Sequence, residues 1–288
     1  MATEIQHEFD DIDLGDKRLE DRARSLLAGL ASNSTASINA ACDGWQESKA
    51  AYRFFDNPNV EPDQILAAHR RATIKRIQAE SVVCVAQDTT ELDFTKHPPR
   101  GVEHLNRVER RGLYDHTSIA LTPEKLCLGV IDVEFFDRCA EGLGKSGERA
   151  GDPIETKESF RWLEGYRRCC ELADACPETQ IVSLADREGD IYDIFVQAEQ
   201  HPTPADFVIR SRVPRSLPEK DAEQGPWGYK KMRDEVAAGD LVTTRQVELP
   251  ATAKRVARTA TLEIRAERMT IKPPHARAKD FPSVSVRT

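Results

Sequence analysis

The 288-residue sequence lacks the features that place a protein in a membrane. No apolar run approaches the roughly 20 residues that a membrane-spanning helix needs. The start, MATEIQHEFDDIDLGD, is acidic and has neither the basic nor the apolar region of a signal peptide. The sequence therefore predicts a cytoplasmic chain with no membrane partner. Its 39% hydrophobic content and its length allow a sizeable core and two or three domains.

Cysteine occurs in no pattern that would tie a fold together. The seven cysteines are odd in number, scattered, and without the C-x-x-C spacing of a structural zinc site. Neither a disulfide framework nor a zinc ribbon is indicated, and reduced thiols are expected. The residues are Cys42, Cys84, Cys127, Cys139, Cys169, Cys170 and Cys176.

The chain also lacks the net positive charge that favours binding to nucleic acid phosphates, since its formal net charge is -8. The charge is unevenly distributed. Residues 201–288 carry 17 Lys and Arg against 11 Asp and Glu, a net charge of +6, which leaves -14 for residues 1–200. A local basic surface is compatible with DNA binding, although proteins that never bind DNA show similar asymmetry.

The first 80 residues have the apolar spacing of helices, with leucines and an alanine recurring at helical intervals between residues 19 and 30. The segment NPNVEPD, residues 57–63, favours a second helix that runs to about Ile77. Its second half is basic, and with Arg53 and its aromatic neighbours it predicts contact with DNA. The alternative is a solvated helix face over a small core. The basic residues are His69, Arg70, Arg71, Lys75 and Arg76.

Two short apolar runs each end in an aspartate. SVVCVAQ, residues 81–87, is typical of a buried strand and stops at Asp88. Two threonines follow Asp88, and their hydroxyl groups are able to orient its carboxylate. IVSLA, residues 181–185, stops at Asp186. Between them the sequence predicts a hairpin that turns at residues 123–125 and an amphipathic helix over residues 155–175, long enough for a crossover.

This order of strand, hairpin, helix and strand is the ribonuclease-H arrangement, in which the first and fourth strands are neighbours. Asp88 and Asp186 would then converge at the carboxyl ends of adjacent strands, where hard oxygen ligands select Mg²⁺ or Mn²⁺. Two such ions suit phosphodiester cleavage and strand transfer. The alternative is that each aspartate is a turn former or a helix N-cap. Asp93, Glu188 and Asp190 are expected to be solvated or structural. The alternative for Glu188 and Asp190 is that their negative charge lies near the metal ions and supports metal binding.

Five motifs carry a resemblance to a known family. They are LGDKR at residues 14–18, AYRFF at 51–55 with NPNV at 57–60, DTT at 88–90, DREGD at 186–190 and VIRSR at 208–212. In this order they resemble the insertion-sequence transposases of the IS four group of DDE enzymes, which includes the transposon five transposase. The resemblance spans residues 14–212.

The resemblance implies a cut-and-paste DNA transposase that binds transposon ends and catalyses metal-dependent phosphodiester cleavage and strand transfer. It implies that Asp88 and Asp186 are the first two acids of the DDE triad and bind Mg²⁺ or Mn²⁺. It also implies double-stranded DNA, as terminal repeats and target, as the partner, a homodimer for the full-length protein, and a bacterial nucleoid location. The DNA contacts that it implies are Arg22 and Arg53 in the amino-terminal domain, and Arg210 and Arg212 in the cleft.

The expected fold class is α/β: a ribonuclease-H-like mixed sheet with an amino-terminal helical DNA-binding domain and a β-rich insertion. The expected domains are residues 1–80 for DNA-end binding, 81–240 for the first part of the catalytic domain, and 241–288 for the insertion, where TLEIRAERMTI alternates apolar and polar side chains over a strand pair. The family's third acid, a glutamate within a Tyr-Arg-Glu-Lys signature, has no counterpart. A carboxy-terminally truncated chain, incomplete for catalysis, is therefore expected.

Two other functions stay open at the level of sequence. One is another nuclease of the same fold, such as a resolvase or repair enzyme, which is not expected to bind one specific terminal repeat. The other is a DNA-binding transposase relic or inhibitor without catalysis. A reading frame that continues into the missing signature separates the transposase from the relic.

Overall fold

The computed structural model describes residue 5 and residues 7–140, 152–221, 223, 225 and 228–288. The chain divides into two compact units. The first comprises Met1–Glu141, Arg168–Leu184 and Ala205–Val208, and the second comprises Gly142–Arg167, Ala185–Pro204 and Ile209–Thr288. None of the helices in the described ranges combines the length and the apolar composition that crossing a bilayer requires. The expected domain boundaries near residues 80 and 240 stay predictions.

Helices make up the beginning of the first unit: α1 (Lys17–Ser32), α2 (Ile38–Ala41), α3 (Gly44–Phe55) and α4 (Pro62–Ile77). The carboxylate of Asp16 caps α1 by accepting the Arg18 N–H at 2.8 Å. At the start of α4, the Gln64 side chain accepts the Glu61 N–H at 3.0 Å, as in a capping box. The two helices predicted before residue 80 are confirmed.

A small apolar core fixes which face of each helix is buried. On α3 the buried side chains are Ala51, with no exposed surface, and Phe54, which is 4% exposed. They pack with residues of α1, α4 and the segment before α1, namely Phe9, Ile12, Leu14, Ala23, Leu26 and Ala68. Because α3 uses this face for packing, its opposite face is left to solvent.

The first unit contains a five-stranded mixed sheet. Its strands are β1 (Val82–Asp93), β2 (Gly112–Leu121), β3 (Cys127–Phe136), β4 (Gln180–Ala185) and β5 (Asp206–Ile209), in the order β3-β2-β1-β4-β5. Strand β2 is antiparallel to β1 and β3, and β4 is parallel to β1, with Ala86 opposite Leu184. The predicted pairing of the first and fourth strands is confirmed. The chain is therefore of the α/β class, with a mixed sheet and amino-terminal helices.

The prediction that β1 ends at Asp88 is wrong, since the strand continues to Asp93. The reason is the partner strand, because β2 offers hydrogen-bonding groups as far as Gly112, which lies opposite Asp93. Gly112 permits this close pairing, since a Cβ there would lie 2.2 Å from the Leu92 carbonyl oxygen. Asp88 thus lies within the strand, opposite Thr117.

The hairpin of β2 and β3 turns where the sequence predicted, with Lys125 in the left-handed region at a φ of 72°. The predicted crossover helix is present as α5 (Phe160–Ala175). It begins five residues later than expected, because Ile154–Thr156 first form a 3-10 turn. Strand β4 then follows α5, as predicted.

The described residues of the second unit contain three pairs of strands, the helices α6 (Tyr192–Gln200) and α7 (Met232–Ala238), and the first half of α5 as far as Arg167. The Tyr192 hydroxyl lies in its core and contacts the carbonyl oxygens of Ile271 and Pro282 at 3.1 and 2.8 Å. The pairs are β6 (Ser216–Lys220) with β7 (Tyr229–Lys231), β8 (Leu241–Leu249) with β9 (Arg258–Arg265), and β10 (Arg268–Ile271) with β11 (Val284–Arg287). The two strands within TLEIRAERMTI are β9 and β10, and they pair with β8 and β11 rather than with each other.

Candidate functional site

Most of the cations in the amino-terminal segment are already paired. Residues 1–60 contain six Lys and Arg, and four of these form ion pairs. Ion pairs of this kind lower the positive charge that remains for a ligand. The pairs are Lys17 with Asp21 at 3.0 Å, Arg18 with Asp16 at 2.7 Å, Arg24 with Asp21 at 3.2 Å, and Arg22 with Glu47.

The other two cations, Lys49 and Arg53, both lie on the exposed face of α3. In the part of the chain that the structure describes, neither forms an ion pair or a hydrogen bond. Two aromatic side chains share the face, since Trp45 is 77% exposed and Tyr52 is 49% exposed. At about 100° per residue, these four side chains span an arc of about 100°. We call this set the α3 face.

The α3 face has the composition of a nucleic acid contact surface. Lysine and arginine pair with phosphate oxygens, arginine also reads base edges, and exposed aromatic rings pack on sugars and bases. Large aromatic groups are costly to leave in water, so two of them beside unpaired cations indicate a ligand. The sequence analysis identified Arg53 but missed Trp45 and Lys49. Trp45, Lys49 and Tyr52 stand at positions i, i+4 and i+7, a spacing that predicts one shared helix face.

The basic residues of α4 lie elsewhere and have partners within the protein. Arg70 donates to the Ile131 carbonyl at 2.6 Å and to the Asp132 carboxylate at 2.7 Å. Lys75 pairs with Asp11 at 2.9 Å, and Arg71 donates to the Asp11 carbonyl. Arg76 forms a bidentate pair with Glu8, both bonds being 2.9 Å. DNA contact by Arg70, Arg71 and Lys75 stays a prediction, and a phosphate would compete with these contacts for the three cations.

The electrostatics of Asp11 agree with this structural use of α4. The hydrogen bond from the Lys75 ammonium and its charge lower the pKa of the Asp11 carboxyl, and the Arg71 charge adds a smaller effect. The ionised carboxylate therefore holds the segment before α1 against α4. Arg22, the other amino-terminal residue predicted to contact DNA, is half-buried in its pair with Glu47.

Asp88 is an exposed side chain on β1. Its Oδ1 accepts the Thr89 backbone N–H at 2.8 Å. The expectation that the following threonine hydroxyl orients this carboxylate is wrong for Thr89, because strand alternation turns that side chain to the other face. There the Thr89 hydroxyl lies 2.8 Å from His116 Nδ1.

Asp186 is an exposed N-cap in the second unit. Its Oδ1 accepts the Glu188 N–H at 2.7 Å and starts the 3-10 turn Arg187–Gly189. The helix-cap alternative for Asp186 is therefore present in the structure. A cap uses one carboxylate oxygen, so capping does not prevent the other from binding a ligand.

Asp190 is structural, as the sequence predicted. Its side chain is 2% exposed and pairs with Arg215. It also accepts the backbone N–H groups of Arg212 and Val213 at 2.7 and 2.8 Å. Asp93, the other acid expected to be solvated or structural, binds Arg110 at 2.9 Å, and hydrogen bonds from Thr95 and then from Arg110 lower its pKa.

Arg210 and Arg212 lie just after β5 and are exposed. Their positions are fixed through the backbone, because the Arg210 N–H donates to the Ala185 carbonyl at 3.1 Å and the Arg212 N–H donates to Asp190. Within the described residues, neither guanidinium group forms an ion pair or hydrogen bond. Both are thus able to contact a phosphate.

No three or more His, Cys, Asp or Glu side chains are grouped to hold a metal ion in the described ranges.

The comparison with known protein families concerns the segment that carries the α3 face. Residues 1–60 match the family model described as transposase DNA-binding. The match includes α1, α2 and α3 and ends before α4. It supports the identification of the chain as a transposase that binds DNA.

Proposed function

We propose that the chain is a transposase of the IS four group and that it binds the ends of its element through the α3 face. The observation that carries this proposal is the charge distribution within the matched segment. Four of its six cations are neutralised by neighbouring acids, and the remaining two, Lys49 and Arg53, lie on one face with Trp45 and Tyr52. DNA binding by an acidic segment needs such a local surface.

The geometry of a helix suits this role. The major groove of B-form DNA admits one α-helix, and the exposed side of α3 is free to enter it. Arg53 is able to bind a guanine edge or a phosphate, whereas Lys49 acts as a point charge toward phosphate. Trp45 lies near the start of the helix, where recognition helices contact bases.

Fluorescence anisotropy of labelled duplexes tests this assignment. The duplexes carry either the ends of the parent element or the same bases in scrambled order. We expect Lys49→Ala and Arg53→Ala each to weaken binding to the end duplex, by roughly 1 to 3 kcal/mol where the side chain contacts a base. Lys17→Ala is the matched control, because it removes an equal charge from an exposed residue that is paired with Asp21.

Equal affinity for the end and scrambled duplexes at moderate salt would contradict recognition of transposon ends. A loss of affinity that is the same in Lys17→Ala as in Arg53→Ala would contradict the α3 face as the binding surface. Circular dichroism of each variant keeps a folding defect distinct from a binding defect. Both substitutions leave the buried residues Ala51 and Phe54 in place.

We propose further that Asp88 and Asp186 serve cut-and-paste chemistry in a ribonuclease-H-like domain. The support within the first unit is the register of its parallel pair, in which Ala86 lies opposite Leu184. Each of these residues stands two positions before one of the aspartates in the chain. Arg210 and Arg212, exposed and without side-chain partners among the described residues, fit phosphate binding beside Asp186 in the second unit.

The two carboxylates fit Mg²⁺ or Mn²⁺ in the type of donor that they offer. Each uses Oδ1 for a backbone N–H, which leaves Oδ2 with its lone pairs. Hard oxygen donors select these cations over zinc. When bound, such a cation would supply Lewis-acid activation of water or a 3′-hydroxyl for phosphodiester cleavage.

The transposase is proposed to act as a homodimer at the bacterial nucleoid, on the strength of the family resemblance. A transposase relic that binds DNA without catalysis is the second candidate. One observation favours it: Asp186 caps a 3-10 turn. Metal binding by Asp88 and Asp186 would separate the two candidates.

A further inference from the structure

In the second unit, two lysine ammonium groups converge on the ring of one tyrosine. Tyr229 on β7 lies opposite Lys220 on β6, whose Nζ is 4.1 Å from the ring centroid. Lys272, which directly follows β10, places its Nζ 3.5 Å from the same centroid. Both distances are within the range of cation–π attraction. Three separate segments of the chain therefore build this cluster.

The backbone fixes the cluster. The Lys272 N–H donates to the Ser216 carbonyl at 2.8 Å, which ties the end of β10 to the start of β6. The neighbouring lysines have other partners, since Lys231 donates to the Ser216 hydroxyl at 2.8 Å and Lys230 pairs with Glu235 at 3.1 Å. No ion pair joins Lys272 to a carboxylate among the described residues.

The two ammonium groups repel each other, and an anion placed between them would reduce that repulsion. The tyrosine already responds to the excess positive charge. Hydrogen bonding from Lys272 and then from Lys220, together with their charges, lowers the pKa of the Tyr229 phenol. A phenol hydroxyl beside two ammonium groups offers three donor groups to one oxyanion, as in side-chain contacts to nucleic acid phosphates.

We propose that Lys220, Tyr229 and Lys272 form a phosphate-binding site that takes one phosphate of a DNA backbone. A free phosphate ion shares this chemistry, so the test treats the two sources separately. The assignment to DNA rests on the proposed DNA-binding function of the chain. The existence of an oxyanion site in the second unit does not.

NMR of the full chain with labelled tyrosine rings tests the site directly. The chain has five tyrosines, and Tyr229→Phe identifies the Tyr229 signal by its loss. We expect a short duplex to shift that signal and to raise the Tyr229 pKa, because a bound phosphate offsets the charges that favour the phenolate. Inorganic phosphate is the second probe.

Variants connect the response to the two lysines. Lys220→Met and Lys272→Met are each expected to weaken binding roughly three- to tenfold, as for a charge-assisted contact at a partly exposed site. Lys230→Met is the matched control, because it removes an equal charge next to Tyr229 from a side chain that pairs with Glu235. Its expected effect is below about twofold.

A Tyr229 response to the duplex that exceeds the response to phosphate supports a DNA-backbone site. An equal response to both supports the oxyanion site and overturns its assignment to DNA. The Lys49→Ala/Arg53→Ala variant separates this site from the α3 face. If that variant no longer binds the duplex but Tyr229 still responds to inorganic phosphate, the oxyanion site is supported independently of DNA binding by the α3 face. No response to either probe, or the same loss in Lys230→Met as in Lys272→Met, overturns the site.

Discussion

Arg215 and Asp190 form an ion pair that is almost completely removed from solvent, with side-chain exposures of 5% and 2%. The pair joins the turn after Asp186 to the segment that follows Arg210 and Arg212. Its carboxylate also accepts two backbone N–H groups, and its guanidinium lies 4.8 Å from the Phe195 ring centroid. These contacts satisfy both charges inside the second unit.

Breaking this pair is expected to destabilise the second unit strongly. Asp190→Asn leaves the Arg215 charge buried without a counter-ion, so the free energy of unfolding should fall by about 3 to 5 kcal/mol. Urea denaturation measures the change. Glu263→Gln, which breaks the exposed pair with Arg265, is the control and should cost less than about 1 kcal/mol. Equal effects of the two substitutions would contradict the role assigned to Asp190.

The buried phenol of Tyr192 is expected to lower the free energy of unfolding at alkaline pH. Burial raises the pKa of its phenol to about 12 in the folded chain, above the value near 10 of an unfolded chain. The folded state therefore favours the neutral phenol, and this contribution is fully present below about pH 10 and lost as the pH rises through 12. Urea denaturation at several pH values should show a smaller alkaline loss in Tyr192→Phe than in the wild type. An unchanged pH profile in Tyr192→Phe would contradict this effect.

Divalent metal should stabilise the chain through the two aspartates. A cation that binds only the folded state at about 1 mM, with a Kd of about 0.1 mM, adds about 1 to 1.5 kcal/mol. Thermal melts with Mn²⁺ should show this gain in the wild type, and Asp88→Asn and Asp186→Asn should each remove most of it. Both substitutions preserve an oxygen that accepts the local backbone N–H.

Asp93→Asn is the control for the metal prediction, because Asp93 lies on the same strand but pairs with Arg110. It should keep the Mn²⁺ response of the wild type. If the wild type and both variants at Asp88 and Asp186 respond equally to Mn²⁺, the two aspartates do not form a metal site, and the DNA-binding relic becomes the favoured function.

The local features of the fold followed from the sequence because they depend on near neighbours. Apolar spacing located α1 and α4, and the two apolar runs before Asp88 and Asp186 located β1 and β4. Parallel pairing of those strands followed from the length of the crossover between them. The continuation of β1 to Asp93 did not follow, because it depends on β2 and on the close approach that Gly112 allows.

The candidate site was predictable only in part. The basic residues of α4 have partners more than 50 positions away in sequence, such as Asp11 and Asp132, so their pairing could not be read from local pattern. Sequence alone gave no way to separate paired from unpaired cations. Trp45 and Lys49 are different, because their helical spacing with Tyr52 is present in the sequence itself.

Arg70 is expected to contribute mainly to the stability of the fold rather than to DNA affinity. Removal of its guanidinium in Arg70→Ala leaves the half-buried Asp132 without its closest cation and removes the bond to Ile131. We expect a loss of roughly 1 to 3 kcal/mol in the free energy of unfolding. DNA affinity of the folded variant, measured by anisotropy, should fall less than in Arg53→Ala. A larger loss of affinity in Arg70→Ala would assign the DNA contact to α4.

The salt dependence of DNA binding tests the α3 face most directly. Each cation that neutralises a phosphate contributes about 0.9 to the slope of log K against log salt concentration. For the end duplex, the magnitude of this negative slope should fall by about two units in Lys49→Ala/Arg53→Ala if both residues contact phosphates. In Lys17→Ala it should remain at the wild-type value. A double variant with the affinity and slope of Lys17→Ala would contradict DNA binding by the α3 face.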